Sequence, residues 1–129
     1  MRLSYTLDYT KDVVALTPTI LNLEKAGLDL LWLQEAYSFD AVSAIGYLAA
    51  KTNTIGLGTA ILNVYSRTPG VLGMTAAGCD HLSGGRFHLG LGASGPQVVE
   101  GFHGMAYSKP LTRTKEVVEI VRKVVGREV

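Results

Sequence analysis

The chain is short of the residues that announce most specialised proteins. One cysteine and one tryptophan occur in 129 residues. The lone Cys79 excludes an internal disulfide framework and predicts a reducing compartment. Neither sign of charge dominates: 12 Lys and Arg against 11 Asp and Glu give a net charge of +1. That balance gives no electrostatic basis for binding nucleic acid or a membrane surface. No apolar run approaches the roughly 20 residues of a spanning helix. The opening MRLSYTLDYTKD lacks the long apolar core of a signal peptide. His, Cys and carboxylates fall nowhere at ligand spacing, which predicts no metal site. A soluble cytoplasmic protein without nucleic-acid or membrane partners is the expectation.

What is present is ordinary for a globular domain: 47% hydrophobic and 18% charged residues. Glycine is the exception, with 15 residues where average usage gives about 9. Many of them end apolar runs, where turns and close backbone approaches are needed.

Those runs alternate with helix-length segments. Residues 3–7 predict a strand, and a helix follows between Lys11 and Ala26, closed by Gly27. Thr17 and Pro18 fit an N-cap and first-turn proline, or a kink, inside it. Residues 28–33 are nearly all apolar, as a strand covered on both faces should be. Asp40 caps a helix to about Lys51, and residues 54–62 form a third strand. From Thr68 and Pro69 a helix runs to Leu82, stopped by Ser83, Gly84 and Gly85. Residues 86–92 form the fourth strand, and a last helix starts near Thr112. Four strand–helix units in alternation predict an α/β fold with a parallel sheet, residues 1–129 forming one domain. Closed eight-fold barrels typically need about 250 residues, so the chain is either a small open sheet or half of something.

In RFHLGLGASGPQ, residues 86–97, Gly90, Gly92 and Gly95 spell G-x-G-x-x-G after an alternating strand. A dinucleotide site would place the third glycine in a crossover helix, with an acidic residue about 20 positions later at a strand end. Here Gly101 and Gly104 interrupt the next segment, and the nearest candidates, Glu116 and Glu119, fall in mid-helix. A bare turn and a backbone lip for another phosphate or ring system stand beside the dinucleotide reading.

The segment from Arg67 to Gly104, RTPGVLGMTAAGCDHLSGGRFHLGLGASGPQVVEGFHG, resembles the signature of the bacterial luciferase-like flavin and deazaflavin oxidoreductases. EKAGLDLLWLQEAYSFDAVS and TIGLGTAILNVYSRTP resemble that family's second strand with its loop, and its third strand. SGPQVVEGFHG and KPLTRTKEVVEIVRKVV are most similar to the actinobacterial branch that uses the deazaflavin coenzyme F420. The resemblance implies the amino-terminal half of a (βα)8 barrel, with unpaired edges on the first and fourth strands. It further implies hydride transfer between coenzyme F420 and a small organic substrate. An FMN-dependent monooxygenase, or a non-catalytic half-barrel that dimerises, are the alternatives. Such a half-chain is expected to need its carboxyl-terminal half or a second copy, to bind cofactor weakly or not at all alone, and to stem from a truncated or partial gene.

In such barrels the working residues lie at the carboxyl ends of the strands: Asp8 and Tyr9, then 34–37, 60–63 and 92–95. By resemblance Glu35 sits near the reactive ring, although a helix-flanking ion pair is an equal reading. Ala60 and Ile61 match a bulge that buttresses the ring, often with a cis bond, and Asn63 contacts the ring edge or forms a turn. Gly92, Ala93, Ser94 and Gly95 let backbone N–H groups face a cofactor. Some relatives carry a carboxylate after the last of these; Pro96 stands there instead, so no proton donor is assigned to it. Glu100 reads as an anchor, Arg67 and Arg86 as architectural, and His103 as the histidine best placed for substrate. His81 suits a helix carboxyl end, and His88 a strand covered on both faces.

Overall fold

The computed structural model describes residues 1–8 and 10–128. Along the chain lie β1 (Ser4–Leu7), α1 (Thr17–Lys25), β2 (Leu30–Leu33), α2 (Ala41–Lys51), β3 (Gly56–Thr59) and β4 (Leu62–Asn63). They continue as α3 (Pro69–Ser83), β5 (Phe87–His88), β6 (Leu91–Gly92) and α4 (Pro110–Gly126). A π-helical turn, Gln97–Phe102, separates β6 from α4. Strands pair in parallel in the order β1-β2-β3-β5, leaving β1 and β5 at the edges. Helical crossovers between sequential strands demand that arrangement.

The period-2 alternation of each strand sorts its residues by face. Leu7, Leu31, Leu33 and Leu57 point to the helices and are buried with Ile20, Ile45, Leu48 and Leu72. Leu30, Trp32, Gly56 and Gly58 stand in register on the opposite face, with His88 beside Gly58. A Cβ at Gly58 would collide with the Trp32 ring, and that ring meets His88 edge-on at 6.2 Å. His88 is therefore exposed, against the expectation of a strand covered on both faces: its face carries no second layer.

Local chemistry sets the helix boundaries. Asp40 accepts from Ser43 N at 2.7 Å and Thr68 from Val71 N at 3.3 Å, as N-caps should. Gly27 and Gly84 take left-handed backbones, φ +88° and +67°, just past their helices. Helix α1 begins at Thr17 rather than in the region of Lys11, because Asp12 closes its own turn by accepting from Val14 N and Ala15 N. Thr17 is then no cap; its hydroxyl meets the Val13 carbonyl at 2.9 Å and the Tyr47 hydroxyl at 3.2 Å. Helix α4 begins at Pro110, two residues before Thr112.

Two anchors hold the amino ends of the strands. Glu24 Oε1 accepts from the amides of Asn53, Thr54 and Ile55 at 2.8, 2.7 and 3.0 Å. Burial opposes its charge, yet these amides outweigh it and hold the carboxyl below its usual range. Arg86 donates to the carbonyls of Ser83, Ile55, Ala49 and Thr52. It stitches backbone and pairs with no carboxylate among the described residues.

The third and fourth strands each break in two. A cis peptide joins Ala60 to Ile61, after which β4 pairs with β6 as a separate ladder. Thr59 bridges the break: its hydroxyl donates to Gly90 O and accepts from Gly90 N, both at 3.0 Å. A Cβ on Gly90 would run into the Thr59 carbonyl oxygen. The first glycine of G-x-G-x-x-G is thus required by packing between strands.

Candidate functional site

The carboxyl ends of the strands gather most of the expected residues. Tyr9 lies outside the described residues. Asp8 accepts from Thr10 N at 2.8 Å and from the Thr10 hydroxyl; those bonds hold its carboxyl below the usual range.

Glu35 follows β2 and enters the loop before α2. Its carboxylate is gripped by Arg67 in a two-pronged pair, Nη1–Oε1 at 2.5 Å and Nη2–Oε2 at 2.8 Å. Oε2 also accepts from Ala41 N at 3.0 Å. The same Nη2 also donates to Asp40 Oδ1 at 2.5 Å. The side chains of Arg67 and Glu35 are only 17% and 11% exposed. The Glu35 bond first, then both carboxylate charges, raise the Arg67 pKa against the opposing effect of burial. Burial works against the Asp40 charge, but Ser43 and Arg67 outweigh it and hold that carboxyl low. Sequence reasoning missed this triad, whose members lie 32 and 27 positions apart.

The triad floors a cleft of about 280 Å³ lined also by Ala36, Phe39, Ser66, Phe102 and His103. Glu35 and His103, predicted separately, therefore share one pocket. His103 ends the π-helical turn, its N–H bonded to Val98 O at 3.0 Å. Its ring meets Phe102 edge-on at 5.1 Å, and Phe102 meets Tyr37 at 5.6 Å.

The remaining expected residues lie where β4 meets β6, with Asn63 beside Gly92. Ile61 packs against Gly92, where an added Cβ would lie 3.2–3.4 Å from its side-chain carbons. Asn63 is 2% exposed. Its Oδ1 accepts from Tyr65 N at 2.9 Å, forming a turn, while Nδ2 is buried without a partner. Beyond Gly92 the backbone turns sharply: Ser94 has φ +56°, and Gly95 O accepts from Val98 N and Val99 N. The amides of Ala93, Ser94 and Gly95 donate to no acceptor among the described residues. Three consecutive N–H groups without an acceptor among the described residues flank a left-handed residue, backbone able to donate to an oxygen-rich or anionic group. Glu100 is an anchor, accepting from Tyr107 N at 2.9 Å.

These features fit a flavin-like cofactor. The free amides offer donors to a polar tail or ring oxygens, and Asn63 keeps one amide donor in reserve. Clusters of three or more His, Cys, Asp or Glu able to hold a metal ion are absent among the described residues. No helix there is long and apolar enough to cross a membrane.

The profile of luciferase-like monooxygenases matches residues 4–129. The chain belongs to that family. Within it, the chain is 47% identical over 105 residues to a Mycobacterium tuberculosis protein that bears the name of a coenzyme F420-dependent oxidoreductase. That match covers 81% of this chain and 30% of the relative. It is 35% identical over 106 residues to the 5,10-methylenetetrahydromethanopterin reductase of Methanolobus tindarius, covering 81% of this chain and 32% of the reductase. In three dimensions it is similar to the coenzyme F420-dependent tetrahydromethanopterin reductase of Methanopyrus kandleri, with a TM-score of 0.83 and 23% identity. There it covers 95% of this chain and 39% of the other. The chain thus spans about a third of its curated relatives, and its four βα units correspond to half of a luciferase-like barrel.

Proposed function

We propose that these βα units carry the cofactor lip of an oxidoreductase that moves a hydride between coenzyme F420 and a small organic substrate. The observation that carries the reading is the run of free amides at 93–95 beside the unpaired Asn63 donor. The relative at 47% identity, named for coenzyme F420, supports the deazaflavin over FMN. When bound, the deazaflavin supplies the hydride chemistry. Ala93, Ser94 and Gly95 would donate to its oxygens, Ile61 and Gly92 would line its site, and Asn63 would hold the turn behind them. The Glu35–Arg67–Asp40 triad lines a pocket together with His103.

The same pocket narrows the substrate. Arg67 is matched by two carboxylates, so the triad offers no free positive charge to an anion. Phe39 and Phe102, 61% and 54% exposed at the rim, offer flat apolar surface. A neutral, planar organic molecule suits that combination. Residues 1–129 act as one domain in the cytoplasm, completed by further βα units or a second copy.

The test is reconstitution with the remaining units of the barrel, followed by absorbance titration with coenzyme F420 and with FMN. Saturable binding of F420 alone supports the reading. Saturable binding of FMN alone assigns an FMN-dependent monooxygenase, and a stable dimer that takes neither assigns a structural module.

A further inference from the structure

We infer that Tyr107 is a positioning residue that aims the Gly95 amide at the bound ligand by holding the Ser94 carbonyl. The inference rests on residues 93–95 being the cofactor lip.

Ser94 is one of three non-glycine residues with positive φ among the described residues; the others, Lys109 and Arg127, stand at the ends of α4. A side chain in that region is disfavoured unless its surroundings fix it. The Tyr107 hydroxyl does so, donating to Ser94 O at 3.2 Å. In a trans peptide the carbonyl of one residue and the N–H of the next lie in one plane and point in opposite directions. Fixing Ser94 O therefore fixes the Gly95 N–H, which has no acceptor of its own among the described residues.

Tyr107 is itself held firmly, although residues 104–109 form no regular element. Glu100 Oε1 accepts its N–H at 2.9 Å. Its ring packs on Tyr65 at 5.5 Å between centroids, and the Arg113 guanidinium lies 4.5 Å from the Tyr65 ring. Arg113 Nε donates to Val64 O at 3.1 Å, and Tyr65 OH to Ser108 O at 2.7 Å. Tyr65 N is the group bonded by Asn63 Oδ1. One continuous set of contacts thus ties the Asn63 turn to the lip across the site, and Tyr107 makes its last link.

Tyr107→Phe removes only the hydroxyl; Tyr65→Phe removes an equivalent bond from the same stack without touching the lip. Both are made in the barrel reconstituted with its remaining units, read by the apo Gly95 amide resonance and by the dissociation constant for oxidised coenzyme F420. Tyr107→Phe is expected to move the Gly95 resonance and weaken the cofactor about fivefold, the contribution of one neutral hydrogen bond. Tyr65→Phe is expected to leave both unchanged. Binding that ignores Tyr107→Phe, or falls equally in both variants, overturns the positioning role alone. A wild-type reconstituted barrel that binds no cofactor at 93–95 overturns the lip itself, and this role with it.

Discussion

Replacing Gly90 by alanine is the sharpest structural test of how the two broken strands meet. The new methyl would land on the Thr59 carbonyl oxygen, a backbone atom already fixed in the sheet. Relief requires the strands to part, which breaks both Thr59–Gly90 bonds and strains the Leu62 N to Gly90 O bond of 2.8 Å. Each is worth about 1 kcal/mol, and overpacking adds about 1–3 kcal/mol. The loss should be about 4 kcal/mol, most of the stability of a small domain at the low end of the usual range. Gly92→Ala meets only Ile61 side-chain carbons, which can shift, and should cost about 1 kcal/mol. Gly78→Ala, in mid-α3 with nothing within 4 Å of the new carbon, should instead stabilise by about 0.5–1 kcal/mol. Urea denaturation followed by far-UV circular dichroism ranks the three. Gly90→Ala no worse than Gly92→Ala would refute the close-approach argument.

Acid should destabilise the chain through Glu24 and Asp40, whose folded carboxyls titrate below their ordinary values. Unfolded carboxyls take up protons near pH 4, so this stability is complete above about pH 5 and fades as pH falls through the lower folded values. Glu24→Gln should flatten the fall between about pH 5 and pH 3; an unchanged slope in acid-titrated melts counts against the anchor. Arg67→Ala strands the largely buried Glu35 carboxylate and should cost about 3 kcal/mol in the same denaturation assay. Cys79 is buried, and burial raises its thiol pKa. Ellman's reagent should label it slowly in the native chain and rapidly in urea, whereas equal rates would place it at the surface.

How much of this was legible beforehand follows the range of the interactions. Asp40 and Thr68 cap their helices because the acceptor and the amide lie three residues apart, within reach of a sequence pattern. Gly27 and Gly84 end helices for the same local reason. The alternation of units gave the parallel order. The break in the third strand was anticipated at Ala60–Ile61 by resemblance, but the break in the fourth was hidden, because it depends on Thr59 and Gly90, 31 positions apart. Residues 54–62 read as one apolar strand only while that partner is ignored. The ion triad and the Tyr107–Ser94 bond were hidden likewise: nothing near Glu35 names Arg67, and an aromatic in an irregular loop carries no periodic signal. Asp12 capped a turn of its own, which moved the start of α1 to Thr17.

The central claim is that the amides of 93–95 receive the cofactor, and amide chemical shifts of the labelled chain, reconstituted with the remaining units of the barrel and titrated with coenzyme F420, test it most directly. Weak binding suffices for this measurement. The account predicts the largest shifts at Ala93, Ser94 and Gly95, with the Asn63 side-chain amide moving alongside them. Shifts confined to the amino ends of the strands, around Asp29 and His88, or none at millimolar cofactor, would contradict it.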